Sequence, residues 1–300
     1  MSAIKHILIF LSATILLSAC AGEKKDGPAD TLGSGTIDIS VDETFRPIIE
    51  EQLKVFDSSF PEAHIKATYK AESECMKDFL DGKAHLVLVT RGLLPNEKQF
   101  LEQKKVVPNS LPLAKDGIAV IVNNSVIDTM TLSEVKGILT GKFIEKKTVV
   151  FDNQGSSTLR YMLDSLIPGE KLASNVFAAK TTDSVIKYVA NNPDAVGFIG
   201  ASHVSDFSDP EGLAFIKEVK VVAVMNEKDQ QFYKPYQAYI AQQLYPLTRD
   251  LYYINSETYP GLGTGFANFL GKERGQLIFK QARLFPLRSN VILREASVNP

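Results

Sequence analysis

From Gly35 onward the chain alternates short apolar runs with stretches whose apolar residues recur at helical spacing. Thr36-Ile37-Asp38-Ile39-Ser40-Val41 alternates like a strand. Phe45, Ile48, Ile49, Gln52, Phe56 and Phe60 then follow a helical period, with Pro47 tolerated in the first turn and Pro61 ending the run. Strands are expected at 65–69, 85–89, 117–122, 149–151, 196–199, 221–224 and 252–254. Helices are expected around 75–80, 95–105, 132–140, 159–166 and 184–190, with one continuous helix from 265 to 282. Thr131-Leu132-Ser133-Glu134 has the form of a capping box and Gly141 stands where a C-terminal cap belongs. This order predicts an α/β fold with a mostly parallel sheet.

The first twenty residues break that pattern. Lys5 and His6 lead into an apolar run that closes on Leu17-Ser18-Ala19-Cys20, too short for a spanning helix of about 20 residues. A charged start, an apolar middle and a small-residue end are the parts of a secretory signal, here residues 1–19. The ending resembles the lipobox of bacterial lipoproteins, which implies lipidation of Cys20 as the first mature residue and a membrane anchor. Residues 20–34 read as a flexible tether rich in Gly, Lys, Asp, Thr and Ser. With Cys20 acylated, Cys75 has no partner for a disulfide and reads as a buried small apolar residue.

Composition narrows the function. In 300 residues, 33 Lys+Arg face 35 Asp+Glu, and loss of Lys5 with the signal moves the net charge from −2 to −3. That excludes the broad basic field of a nucleic-acid binder, so any anion must be held by local geometry. Such geometry is offered where the strand 149–151 runs into Asp152-Asn153-Gln154-Gly155-Ser156-Ser157-Thr158. There a helix opens on unpaired backbone N–H groups and three hydroxyls, a ready anion site, although Ser and Thr are also ordinary capping residues. Arg160, just inside that helix, faces either ligand or solvent.

The stretch Gly155-Ser156-Ser157-Thr158-Leu159-Arg160 resembles the Gly-Ser-Gly-Thr turn of phosphate ABC transporter substrate-binding proteins, the periplasmic phosphate-binding proteins. Further segments are similar to that family in the same order: Thr131 to Phe143, Ala195 to Ile199, Tyr245-Pro246-Leu247-Thr248-Arg249-Asp250-Leu251-Tyr252, and Arg274-Gly275-Gln276 with Leu284 to Leu287. The resemblance implies a two-lobed, periplasmic-binding-protein-like (type II) fold with the ligand in the cleft. Residues 35–115 plus 244–300 would form lobe 1 and residues 116–243 lobe 2. It implies phosphate contacts from Thr44 and Phe45, from Ser73, from Thr90 and Arg91, and from Gly155, Ser156, Ser157 and Thr158. Arg91 is the main candidate for direct charge pairing. The implied function is high-affinity binding of inorganic phosphate by a monomer and delivery to the permease subunits of an ABC transporter, without cofactor or metal.

Departures from the family bear on selectivity. Ser157 stands where the family has Gly, and Asp152 where some members have an Arg that pairs with phosphate. Phosphate near neutral pH carries a proton and sulfate does not, so a single acidic acceptor, with Asp42 and Asp152 as candidates, selects phosphate. Glu43, Glu72 and Glu74 read as solvated rim. An enzyme is disfavoured, because His64, His85 and His203 are isolated and Ser156 is not in a nucleophile elbow. The competing reading keeps the fold but makes the chain a lipid-anchored surface or sensory protein for another oxyanion or a protein partner, with Tyr233, Tyr236, Tyr239 and Tyr245 as a possible aromatic face. On the phosphate-binding reading, Arg91→Ala or Thr158→Ala weakens anion binding by about 1.5–3 kcal/mol in calorimetric titration, the range for hydrogen bonds to charged groups.

Overall fold

Parallel pairing of β1 (Gly35–Asp42) with β2 (Ala63–Lys70) starts the sheet, in the register Gly35↔Ala63 to Asp42↔Lys70. The computed structural model describes residues 30–205 and 218–288. The signal, Cys20 and most of the tether therefore lie outside the described residues. Helix α1 (Arg46–Ser59) carries Pro47 in its first turn, and α2 (Glu72–Asp81) stops at Gly82, whose φ of 75° is left-handed. Strand β3 (Leu86–Val89) is wholly buried, and α3 (Pro95–Gln103) follows.

Strand β4 (Asn109–Asn123) is more than twice the length expected, because its first half lacks the continuous apolar run of the second. It is followed by α4 (Leu132–Thr140), whose Thr131–Glu134 capping box and left-handed Gly141 are both present. Next come β5 (Thr148–Phe151), the short α5 (Ser157–Tyr161) continuing as a π-turn to Leu166, β6 (Val176–Ala178), α6 (Thr182–Asn191), β7 (Ala195–Gly200) and β8 (Val219–Val221). After a small three-stranded sheet of 223–225, 232–233 and 129–130, strand β9 (Thr248–Asn255), α7 (Leu262–Gly271), α8 (Glu273–Gln281) and β10 (Phe285–Pro286) form the C-terminal part of the described chain.

The main path of the sheet is β2-β1-β3-β9-β4-β7-β5-β6, with β10 and β8 also on β4. Strand β4 belongs to both halves. Its residues up to Gly117 pair antiparallel with β9, and Ile118 to Val122 pair with β7. The hydrophobic clusters change at the same place. Leu113 and Ala114 pack with Ile39, Phe45, Phe56 and Phe266, whereas Ile118 and Val120 pack with Phe151, Phe198 and Leu139. The fold is thus two lobes joined through β4 and β9. Tyr245 and Leu247, counted by sequence with the first lobe, pack in the cluster of the second.

Three sequence expectations are corrected. The ten-stranded sheet of the described residues is mixed and not mostly parallel, because β3, β9, β4 and β7 pair antiparallel at its centre, as β8 and β10 do on β4. The helix drawn from 265 to 282 is two helices, because Lys272 takes an extended ψ of 174°. The break folds α8 back until a Cβ on Gly275 would stand 2.4 Å from the Phe269 carbonyl oxygen. The run 221–224 divides at Val222: Val221 pairs with β4, and Ala223 with Thr129. Close packing also fixes β7, where a Cβ on Gly197 would meet Val185 and Val189 of α6 at 2.8 and 2.9 Å. Gly197→Ala is therefore expected to cost about 1–3 kcal/mol, the usual penalty of overpacking, measured by denaturant unfolding.

Candidate functional site

Strand β9 places Arg249 directly across the ladder from Asp116 of β4, beside the point where β4 passes from one lobe to the other. Its alternation puts Leu247, Arg249, Leu251 and Tyr253 on the buried face, so a guanidinium enters the interior. Nε donates to Asp116 Oδ2 at 3.1 Å, and the two side chains are 2% and 1% exposed. Nη1 donates to Ser157 Oγ at 2.8 Å and to Thr158 Oγ1 at 3.2 Å, both in the second lobe. The ring of Phe45 lies 5.4 Å from the guanidinium carbon. Nη2 lies 3.1 Å from Asp116 Oδ2 but is not aligned with it, and has no hydrogen-bond partner.

A second unpaired atom belongs to Asp42, at the C-terminal end of β1. Oδ1 accepts the Thr44 N–H at 3.1 Å, while the buried Oδ2 has no partner. Burial pushes the Asp42 carboxyl up to about 6; Glu72 adds to the rise, and the Arg249 charge, the Ser157 hydroxyl and the Thr44 N–H oppose it. Burial also raises Asp116, against the pull of Arg249. The chain thus holds a buried unpaired donor and a buried unpaired acceptor near enough for the Arg249 charge to act on Asp42.

The turn Gly155 to Thr158 completes this position. Ser156 caps α5, its Oγ accepting the Leu159 N–H at 3.3 Å, and Ser157 and Thr158 are buried. Gly155 meets the other lobe edge-on: its carbonyl accepts the Ser73 N–H at 3.2 Å, and a Cβ there would stand 2.2 Å from Ser73 Oγ. Outside this contact is a cleft of about 430 Å³, lined among others by Glu43, Tyr69, Ser73, Asn153 and Lys180. Across the lobes, His203 Nε2 lies 3.0 Å from the Thr44 carbonyl oxygen, and burial lowers the basicity of that imidazole.

Other residues fall elsewhere than the sequence suggests. Arg91 makes a bidentate pair with Glu97, with both N–O distances 2.7 Å, so local charge already satisfies it. Thr90 gives its N–H and hydroxyl to Glu72 Oε1 at 2.6 and 2.8 Å. Glu72 is therefore no rim acid but a fully buried carboxylate. Arg160, half-buried, is engaged by protein groups: it donates to Glu72 Oε2 through Nε and to Thr90 Oγ1 through Nη2 at 2.9 Å. Asp152 turns back on its own loop, accepting the Asn153 N–H at 2.9 Å, and its charge acts on Glu43 and His203. Tyr245 is core, donating to the Ile118 carbonyl at 2.6 Å, while Tyr236 and Tyr239 stack with ring centres 6.1 Å apart.

Arg249 and Asp116 were missed, yet each left a signal: a charged residue on the apolar face of a period-two strand. Among the described residues, no group of three His, Cys, Asp or Glu side chains is placed to hold a metal. No described helix is long and apolar enough to cross a membrane.

Comparison with known proteins gives concordant results. The model of the PBP superfamily domain matches residues 26–274. The phosphate-binding protein PstS of Staphylococcus aureus is 25% identical over 262 residues, covering 82% of this chain and 76% of its own. Among solved structures, a phosphate ABC transporter substrate-binding protein with bound phosphate from Clostridium perfringens has a TM-score of 0.71 at 22% identity, over 84% of this chain and 100% of its own. An ABC-type phosphate transport receptor from Vibrio cholerae has a TM-score of 0.65 at 20% identity, with the same two coverages.

The raised Asp42 carboxyl has a stability consequence. The folded protein holds that proton more tightly than the unfolded chain, so folding is favoured below the ordinary value of 3.8 and loses stability as pH rises to about 6. The loss is roughly 3 kcal/mol from this group, with no further change above that window. Denaturant unfolding of the ligand-free protein from pH 3.5 to 7 is expected to show this slope, and Asp42→Asn to flatten it.

Proposed function

The chain belongs to the PBP superfamily, and we propose that it binds inorganic phosphate between its lobes and delivers it to the permease of an ABC transporter. The single observation that carries this reading is the pairing of two buried, unsatisfied atoms, Arg249 Nη2 and Asp42 Oδ2. A donor and an acceptor at one buried position suit an oxyanion that still bears a proton. One oxygen would accept from Arg249 Nη2, flanked by the Ser157 and Thr158 hydroxyls. The protonated oxygen would donate to Asp42 Oδ2. Thr44 and Phe45 would line the first lobe's side, and Gly155 and Ser73 would close the entrance. Sulfate, without a proton at neutral pH, would set its charge against the Asp42 carboxylate.

This assignment moves the direct charge pairing from Arg91 to Arg249 and takes Asp42, not Asp152, as the proton acceptor. It leaves Thr90 as a supporting residue, since both its donors are already used. The net charge of the site is small, because Asp42 and Asp116 face Arg249, which fits a chain without excess positive charge. The relatives are binding proteins, and the reading gives the chain no catalytic step. In the cell, residues 1–19 would direct export and a lipidated Cys20 would tether the monomer to the outer face of a membrane.

Calorimetric titration with phosphate, arsenate, sulfate and molybdate tests the reading. Phosphate and arsenate are expected to bind and sulfate to give no heat at pH 8. Asp42→Asn is expected to reduce the preference for phosphate over sulfate by about tenfold or more, since it removes the charge that repels sulfate. Failure of wild-type protein to bind phosphate, or tighter binding of sulfate, overturns the assignment. Arg249→Lys, which keeps the charge but loses the fork, is expected to weaken phosphate binding by about 1.5–3 kcal/mol.

A further inference from the structure

Arg160 and Glu72 are a charged pair that the binding site does not need, and they stand on opposite lobes. Glu72 opens α2, which packs on β1 and β3 in the first lobe through Cys75, Met76 and Phe79. Arg160 belongs to α5, seated in the second lobe by Leu159 and Met162. The guanidinium donates across the boundary to Glu72 Oε2 through Nε and to Thr90 through Nη2, reaching the hydroxyl at 2.9 Å and the carbonyl at 3.3 Å. Nη1 is braced within its own lobe by Asp164, at 3.2 Å. Glu72 in turn holds the Thr90 turn through Oε1. All the acceptors on the first lobe are preorganised by one another.

We propose that Arg160 is the interlobe latch of this protein and that Glu72 is the buried carboxylate on which it closes. The physical ground is the charge balance of closure. The Glu72 side chain is 2% exposed, so closing the lobes removes a carboxylate from water. That is costly unless the charge is paired, and Arg160 supplies the pairing from the opposite lobe. The position of the latch adds a mechanical consequence. Arg160 lies two residues beyond Thr158, so engaging the latch also sets α5, and with it the Ser157 and Thr158 hydroxyls, against Arg249. Arg160 thus acts as a positioning residue: it touches no ligand and governs how long a ligand stays enclosed. The latch rests on the two-lobed fold; only its effect on ligand release rests on the phosphate reading.

The test uses the mature protein with Arg160→Met, Glu72→Gln and the double variant. Small-angle X-ray scattering reports lobe opening, and release of radiolabelled phosphate into an unlabelled chase reports enclosure. Arg160→Met strands Glu72 in the closed form, so a larger radius of gyration is expected, with phosphate release about tenfold to a hundredfold faster. Adding Glu72→Gln removes the stranded charge and is expected to restore part of both quantities, which a merely structural role would not do. Arg160→Lys, which keeps the charge on a single head, is expected to fall between wild type and Arg160→Met, and it substitutes for Arg160→Met should that variant not unfold cooperatively. Unchanged scattering and release in Arg160→Met, or a double variant no more closed than the single one, overturns the latch. If wild-type protein binds no phosphate, the functional reading fails while the scattering comparison still decides the latch.

Discussion

Burying a guanidinium is the constraint around which the two lobes are organised. Arg249 sits where β4 and β9 cross between lobes, almost wholly out of water. An unpaired charge there would cost several kcal/mol, so its neighbours have to answer it. Asp116 answers it from the adjacent strand, and Ser157 and Thr158 answer it from the other lobe. Phe45 packs its ring against the guanidinium, which ties the start of α1 to the same centre. The second lobe's turn is thereby fixed to a first-lobe strand by a charged hydrogen-bond set, and one guanidinium nitrogen, Nη2, is left without a hydrogen-bond partner.

The same junction explains why small residues stand at the lobe boundary. Gly155 approaches Ser73 so closely that no side chain fits between them, and a Cβ on Gly200 would lie 2.5 Å from Thr44 Cγ2. His203 reaches the Thr44 carbonyl from the second lobe, and Arg160 reaches Thr90. Each of these contacts joins one lobe to the other near the strand ends, through helix starts and short turns. Residues around the proposed anion position are therefore held by contacts within the protein itself, which is what preorganised recognition requires.

Much of this was legible in the sequence, and the exceptions share a cause. Strand and helix order followed from periodicity, and Thr131, Glu134 and Gly141 announced α4 before the structure displayed it. The helix start at Gly155 to Thr158 was legible because Ser and Thr following a strand mark a capped helix, and Ser156 is that cap. Charge pairing was not. Arg91 was the main candidate for charge pairing through the family resemblance, but its partner Glu97 lies six residues on, where nothing in the spacing marks it. Arg249 and Asp116 are 133 residues apart in sequence and meet only because β4 and β9 are antiparallel neighbours. Glu72 looked like a rim acid for the same reason, since its partners Thr90 and Arg160 arrive from two other elements.

The central claim is that one anion is held between Arg249 Nη2 and Asp42 Oδ2. Arsenate has the shape and protonation of phosphate and a distinct X-ray absorption edge, so it locates the site without ambiguity. A crystal structure of the protein with arsenate, with anomalous data at the arsenic edge, is predicted to show a single strong peak within hydrogen-bonding reach of both atoms and of the Ser157 and Thr158 hydroxyls. A peak beside Arg91, a peak confined to the outer cleft near Lys180, or no peak between Arg249 and Asp42 would contradict the account.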